Sequence, residues 1–79
     1  MRILFFAHLK DAVGQSELGL ALDEAVDADG LWQRLTAARP ALGRFRRSVR
    51  LARNCEYVGP GARFSDTDEV ALIPPVSGG

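Results

Sequence analysis

Val26-Asp27-Ala28-Asp29-Gly30-Leu31-Trp32-Gln33-Arg34-Leu35-Thr36-Ala37-Ala38-Arg39-Pro40 is the stretch on which the fold turns, because it is the one long segment with helical spacing. Asp27 is placed to cap it: its carboxylate is able to accept from a backbone N–H of the first turn, where Asp29 faces the positive end of the helix dipole. Val26, just before the cap, is positioned to staple onto Leu31. Leu31, Leu35, Ala38 and Leu42 then recur at helical intervals, and Trp32 widens their stripe, so one side of the helix is apolar. Pro40 holds Arg39 out of the α region. The regular helix is therefore predicted to end at Arg39, with a loose turn reaching Gly43.

Short strand signals flank this helix. Arg2-Ile3-Leu4-Phe5-Phe6-Ala7 is aromatic and branched and reads as a strand. Leu9 to Val13, closed by Gly14, reads as a helical turn or a wide loop. In Ser16 to Leu22, Leu18, Leu20 and Leu22 alternate with the period of a half-buried strand. Ser48 to Arg53 and Glu56 to Val58 read as two further strands, Gly59-Pro60-Gly61 as a loop, and Asp66-Thr67-Asp68 as a turn feeding a last strand, Glu69 to Ile73. The order is β, β, α, β, β, β. One helix covers one face of one sheet, a helical crossover fits a right-handed β-α-β connection, and the grasp topology that results requires the first and last strands to be neighbours. The prediction is an α+β fold of the β-grasp type, a mixed sheet of about five strands wrapping one main helix, with residues 1–73 as the domain and 74–79 as an extended tail.

Strand one is apolar on both faces, since Ile3 and Phe5 alternate with Leu4 and Phe6; the last strand likewise sets Val70 and Leu72 against Ala71 and Ile73. A lone helix leaves one of these faces bare. Phe6 and Ile73 are expected to form an exposed apolar patch where the tail departs, unless the chain's own loops cover it.

At 79 residues the chain makes one domain, small enough to bury only about 60% of its unfolded surface. Cys55 is the sole cysteine, so neither an internal disulfide nor a Cys/His metal cluster is expected. A formal net charge of zero gives no reason to expect nucleic acid or an anionic membrane as a partner. The apolar run Ile3 to Ala7 is broken by His8 and Lys10, too short for a signal segment or a membrane span, and a soluble, cytoplasmic protein is expected. Charge is nonetheless segregated. Asp11, Glu17, Asp23, Glu24, Asp27 and Asp29 precede Arg34, Arg39, Arg44, Arg46, Arg47, Arg50 and Arg53. This pattern fits either a solvated surface with weak internal pairing or a basic region that steers an acidic partner.

Within the domain no catalytic constellation emerges. His8 has no nucleophile or carboxylate that spacing places beside it, Cys55 reads as a packed or idle thiol, and Gly59-Pro60-Gly61 lacks the residues of a phosphate loop. Attention passes to Pro74-Pro75-Val76-Ser77-Gly78-Gly79. The prolines stiffen a segment that reaches about 20 Å at ~3.3 Å per residue, while Gly78 and Gly79, lacking Cβ atoms, fit a channel too narrow for other residues. The bland alternative is a frayed end or a cloning remnant. If the tail carries chemistry, the Gly79 carboxylate is a poor electrophile until an ATP-dependent partner adenylates it. A sulfur donor then gives a thiocarboxylate, whereas a lysine gives an isopeptide, and both outcomes stay open.

Ile3-Leu4-Phe5-Phe6-Ala7, Leu9-Lys10-Asp11-Ala12-Val13-Gly14, Asp66-Thr67-Asp68-Glu69-Val70-Ala71 and Pro74-Pro75-Val76-Ser77-Gly78-Gly79 together resemble the small subunits of molybdopterin synthase. The resemblance spans the chain but is not specific between Leu42 and Arg53. It implies a ubiquitin-like β-grasp protein, not catalytic alone and holding no cofactor or metal of its own. Gly79 would be adenylated by an E1-like adenylyltransferase using ATP, converted by a sulfur donor enzyme to a thiocarboxylate, and inserted into the active site of the large subunit. There it would give sulfur to cyclic pyranopterin monophosphate, forming the dithiolene of molybdopterin. In that family two small subunits cap a central dimer of large ones, a heterotetramer. Phe6, Tyr57 and Ile73 occupy the matching patch positions, with Pro74, Pro75, Val76 and Ser77 leading to Gly78 and Gly79. Arg53 departs from the aliphatic residue usual before Asn54. Carriers for thiamine or cysteine synthesis share Gly78-Gly79 but generally lack the two prolines and the Phe-Phe-Ala opening. A ubiquitin-like protein modifier and a plain binding module are the remaining alternatives.

Overall fold

In the computed structural model, which describes residues 1–74, the chain runs through β1 (Arg2–Phe5), α1 (His8–Val13), β2 (Glu17–Gly19), β3 (Val26–Asp27), α2 (Ala28–Ala38), a 3-10 helix (Pro40–Phe45), β4 (Arg50–Arg53), β5 (Glu56–Tyr57), β6 (Arg63–Phe64) and β7 (Glu69–Ile73). The cap forms as its chemistry requires: Asp27 Oδ1 accepts from the Gly30 N–H at 2.8 Å. Gly30 has its own reason to lack a side chain, since a Cβ there would stand 3.1 Å from Val26 Cβ. At the other end Arg39 is extended, φ −141° and ψ 91°, as the residue before a proline must be, while its N–H still reaches Leu35 O at 2.8 Å.

Five strands form one sheet in the order β2-β1-β7-β4-β5, with β1 parallel to β7 and every other pair antiparallel. This is the β-grasp arrangement expected from the element order. In the central ladder Ile3 lies opposite Val70 and Phe5 opposite Leu72. These four side chains are buried and share one core with Leu31, Trp32 and Leu35 of α2, Leu9 of α1, Leu42 of the 3-10 helix and Phe64 of β6. Each such burial contributes about 1.5–3 kcal/mol.

The sequence reading differs from the structure mainly in how far the strands run, and local backbone geometry and hydrogen bonding account for the differences at Phe6, Leu22, Ser48 and Val49. Phe6, expected inside strand one, lies just beyond it, because Ala7 turns the chain with φ 51° and ψ −132°. The strand expected over residues 16–22 is only Glu17–Gly19. Leu22 has been drawn out of the ladder, its N–H donating to Asp66 Oδ1 at 2.9 Å. Ser48 and Val49 are likewise withheld from β4, since both N–H groups bond to Phe45 O. The loose turn after Pro40 is a 3-10 helix that continues to Phe45. The pairing of β3 with β6, Val26 opposite Phe64, has no counterpart in the sequence reading. Two residues are too few to display a period.

Between β4 and β5 the two-residue turn Asn54-Cys55 has φ 50° and 74°, the positive values a type I′ hairpin needs. Asn54 anchors the turn to the start of β7. Its N–H donates to Glu69 O at 2.7 Å, its Oδ1 accepts from the Glu69 N–H at 3.0 Å, and its Nδ2 donates to Asp68 Oδ1 at 3.1 Å. The other Asp68 oxygen accepts from the Ser65 N–H at 2.8 Å. That bond is the main reason the Asp68 carboxyl is held below its ordinary 3.8; partial burial opposes it, and Asn54, the Ser65 hydroxyl and Arg53 add to it.

Two measurements check this account. Cysteine lacks glycine's freedom at positive φ, so Cys55→Gly should raise stability by about 0.5–1 kcal/mol in urea unfolding, and an unchanged or lower midpoint would count against the strain. A depressed carboxyl stabilises the fold above its ordinary value of 3.8 and loses that contribution as pH falls through the folded value. Asp68→Asn should therefore be less stable than the parent at neutral pH. The difference should shrink below about pH 4, and parallel acid-unfolding curves for the two proteins would refute it.

Candidate functional site

Side chains alternate across a strand, so the residues of the ladder that are absent from the core share the opposite face. The apolar ones are Leu4 of β1, Ala71 and Ile73 of β7, Ala52 of β4 and Tyr57 of β5. Their register makes a continuous row: Leu4 faces Ala71, Ala71 faces Ala52, and Ala52 faces Tyr57. No helix covers this row. Leu4, Ala71 and Ile73 are half-buried and Ala52 is buried, whereas Phe6 and Tyr57 are 47% and 57% exposed, the exposed large apolar side chains among the described residues. Together with Cys55 and Glu69 these residues line a shallow apolar cavity of about 310 Å³. The structure thus brings together Phe6, Tyr57 and Ile73. Pro74, half-buried, follows Ile73 directly, while Pro75, Val76, Ser77, Gly78 and Gly79 lie outside the described residues.

Charge lies at the rim of the cavity. Arg2 is bonded on one side to Glu17 and on the other to Glu69, at 2.9 Å; the hydrogen bond it donates to Glu17 is the largest reason that its guanidinium holds its proton even more firmly than usual. At the tail end of the face Arg50 lies opposite Ile73 and stacks its guanidinium 4.2 Å from the centroid of the Tyr57 ring. Other arginines of the basic segment have separate partners. Arg39 donates to Gln15 Oε1 at 2.9 Å and to Ala38 O at 2.8 Å, Arg46 pairs with Asp29, Arg53 donates to Arg63 O, and Arg44 stacks on Phe45. Asp29–Arg46 is the single ion pair between the acidic and basic segments among the described residues.

Residues considered for chemistry within the domain fall elsewhere. His8 is exposed at the start of α1 with its ring 5.7 Å from that of Phe45. Cys55, expected to be packed or idle, is not packed: the hairpin turn holds it exposed at the cavity wall. A wider hollow of about 590 Å³ is lined by residues that include Arg53, Glu56, Tyr57 and the loop glycines Gly59 and Gly61. Among the described residues no group of three or more His, Cys, Asp or Glu side chains is placed to hold a metal, and no helix is long and apolar enough to cross a membrane. Sequence reasoning missed Asn54, whose role as the tether of the hairpin shows only once β7 lies beside β4. A two-residue turn beginning with Asn was the available signal.

The pattern of the ThiS family matches residues 3–79. The molybdopterin synthase sulfur carrier subunit of Chlamydomonas reinhardtii is 36% identical over 81 residues, covering 100% of this chain and 98% of that protein. Among solved structures, SAMP1 from Haloferax volcanii superposes with a TM-score of 0.83 at 29% identity, over 99% of this chain and 97% of that one. A chain in the complex of subunits 1 and 2 of molybdopterin-converting factor from Helicobacter pylori gives 0.67 at 19% identity over 99% and 96%, a likeness of fold alone. The fold is the ubiquitin-like β-grasp, and the chain belongs to the ThiS family, among the molybdopterin synthase sulfur carrier subunits.

Proposed function

We propose that this chain delivers sulfur as a thiocarboxylate on Gly79 during molybdopterin formation, and that the helix-free sheet face seats it on the synthase large subunit. One observation carries the reading: the exposed apolar row ends at Ile73, the residue from which Pro74-Pro75-Val76-Ser77-Gly78-Gly79 continues. A partner that covers Phe6, Tyr57 and Ile73 therefore receives the tail beside its own surface.

The chemistry follows from the carboxylate. An oxygen of the Gly79 carboxylate attacks the α-phosphorus of ATP in an E1-like adenylyltransferase, and pyrophosphate leaves. A sulfur donor enzyme then supplies sulfur at the sulfide level to the acyl carbon, and AMP departs with the electron pair of the broken C–O bond. In the large subunit the thiocarboxylate sulfur bonds to a side-chain carbon of cyclic pyranopterin monophosphate as a C–O bond at that carbon breaks and the oxygen leaves with the electron pair. Water then cleaves the acyl C–S bond, leaving the sulfur on the pterin and a free carboxylate on Gly79. The carrier contributes no cofactor of its own; ATP is used by the activating partner. Two carriers on a dimer of large subunits is the assembly proposed, in the cytoplasm.

A second reading has support in one observation, the likeness to SAMP1, described for the same organism as a small archaeal modifier protein. Attack by a protein lysine on the same acyl-adenylate would give an isopeptide in place of the thiocarboxylate.

Incubation with the activating enzyme, ATP and a sulfur donor should change the mass by one oxygen-for-sulfur exchange mapped to Gly79, and removal of Gly79 should prevent it while the circular dichroism spectrum is retained. Sulfur recovered in the pterin with the carrier returned to its free carboxylate supports the carrier; lysine conjugates without pterin sulfuration favour the modifier. For the face, Phe6→Asp or Ile73→Asp should abolish binding to the large subunit in calorimetry, because an unpaired carboxylate buried against apolar groups is strongly unfavourable, whereas on the exposed face of the free protein it is tolerated. A folded variant with parental affinity would rule out this surface.

A further inference from the structure

We propose that Arg50 is the charged anchor of this face, receiving a carboxylate from the protein that covers Phe6, Tyr57 and Ile73. The inference rests on the docking reading above and adds the chemistry of the partner's rim.

Arg50 and Ala52 lie on the same side of β4, because strand residues two apart share a face, and Ala52 lies opposite both Ala71 and Tyr57. Arg50 is therefore on the outer surface, opposite Ile73 at the end from which the tail departs. Its guanidinium lies 4.2 Å from the Tyr57 ring centroid. A guanidinium held over a ring still has its N–H edge, which carries the donors, for other partners. Among the described residues that edge has no hydrogen-bond acceptor and no ion-pair partner. The contrast with Arg2 on the same face is informative, since Arg2 is engaged by two carboxylates. A cation already held in place by an aromatic ring, with its donors unused, loses little side-chain freedom when an acceptor arrives.

Charge also narrows the class of occupant. A nucleic acid would need several cations aligned along a phosphate backbone, but among the described residues this face offers Arg50, without an ion-pair partner, together with Arg2 already held by Glu17 and Glu69. A protein with an apolar centre and an Asp or Glu at its rim fits both the cavity and Arg50. The rim charge should steer the encounter and, through its bond to the carboxylate, add a smaller part to holding the complex, which rests mainly on the apolar centre.

The test uses the full chain and the recombinant large subunit, with association and dissociation rates measured across a salt series. Arg50→Glu should lower the association rate about tenfold at low salt and flatten its salt dependence. Arg50→Lys should keep the salt dependence but dissociate faster, because an ammonium cannot reproduce a two-pronged bond to a carboxylate. Phe6→Asp serves as the control for the docking surface. If Phe6→Asp binds like the parent, the docking reading has failed; if it does not bind while Arg50→Glu retains the parental association rate at every salt concentration, the anchor alone has failed. Should Arg50→Glu melt early by circular dichroism, Arg50→Gln replaces it with the same expected direction. Sedimentation showing a dimer of the isolated chain that Arg50→Glu disrupts would put a second copy on this face and overturn the assignment.

Discussion

The parallel ladder between β1 and β7 divides the side chains of both strands by parity, and α2 is able to receive only one of the two sets. Ile3, Phe5, Val70 and Leu72 enter the core. Leu4, Ala71 and Ile73 are thereby committed to the opposite face. A shift of the ladder by a single residue would exchange the sets, so core and candidate docking surface are determined together. What the fold leaves free is the chemistry of the uncovered set. A sheet open to water ordinarily alternates apolar with polar residues; here the outward positions carry leucine, alanine and isoleucine, with Phe6 and Tyr57 rising beside them. That excess of apolar surface has no use in folding the monomer, and it is the strongest argument that another molecule covers it.

Two non-glycine residues with positive φ stand beside the two exposed aromatic side chains. Ala7, at φ 51°, follows Phe6, and Cys55, at φ 74°, precedes Tyr57 by two positions. Each turn ends or reverses a strand at the place where an aromatic side chain must project over the cavity. Conformations of this kind are uphill for residues with a Cβ and persist where surrounding bonds hold them. Asn54 provides such bonds at the hairpin through its three contacts with Asp68 and Glu69. The walls of the site are thus set by backbone geometry at its edges, and its floor by the register of the central ladder.

The parts of this arrangement legible in the sequence are those governed by local rules. Asp27 and Pro40 delimit α2 because a cap and a pre-proline residue act within a few positions of themselves. The double-faced apolar character of Ile3 to Phe6 and of Val70 to Ile73 announced both core and patch, since alternation is written directly into strand sequence. Tyr57 is different: it was placed in the patch by family resemblance, and the structure supplies the physical reason, its pairing with Ala52 on the outer side of β4. Long-range capture was not legible. Asp66 takes the Leu22 N–H across 44 positions and shortens β2; Asn54 finds Glu69, 15 positions away, only when β4 and β7 are neighbours. The segregation of charge left two readings open, a solvated surface with weak internal pairing or a steering basic region, and the position of each arginine depends on tertiary neighbours in the same way. Local acceptors take Arg39, Arg46 and Arg53, while strand alternation puts Arg50 of that segment on the apolar side, beside Tyr57.

A carrier must also let go, and the composition of the face bears on that requirement. A larger apolar patch would bind more tightly but would promote aggregation of an 8.6 kDa domain in its free state. A rim charge answers a different need. Rates of encounter rise with electrostatic steering, whereas rates of release are governed mainly by the buried centre, so a cation added at the edge speeds arrival more than it slows departure. Arg50 stands where this separation works best: beside Ile73, so that an approaching partner is drawn to the end of the sheet from which the tail extends, and stacked on Tyr57, so that the charge and the apolar wall reach the partner together.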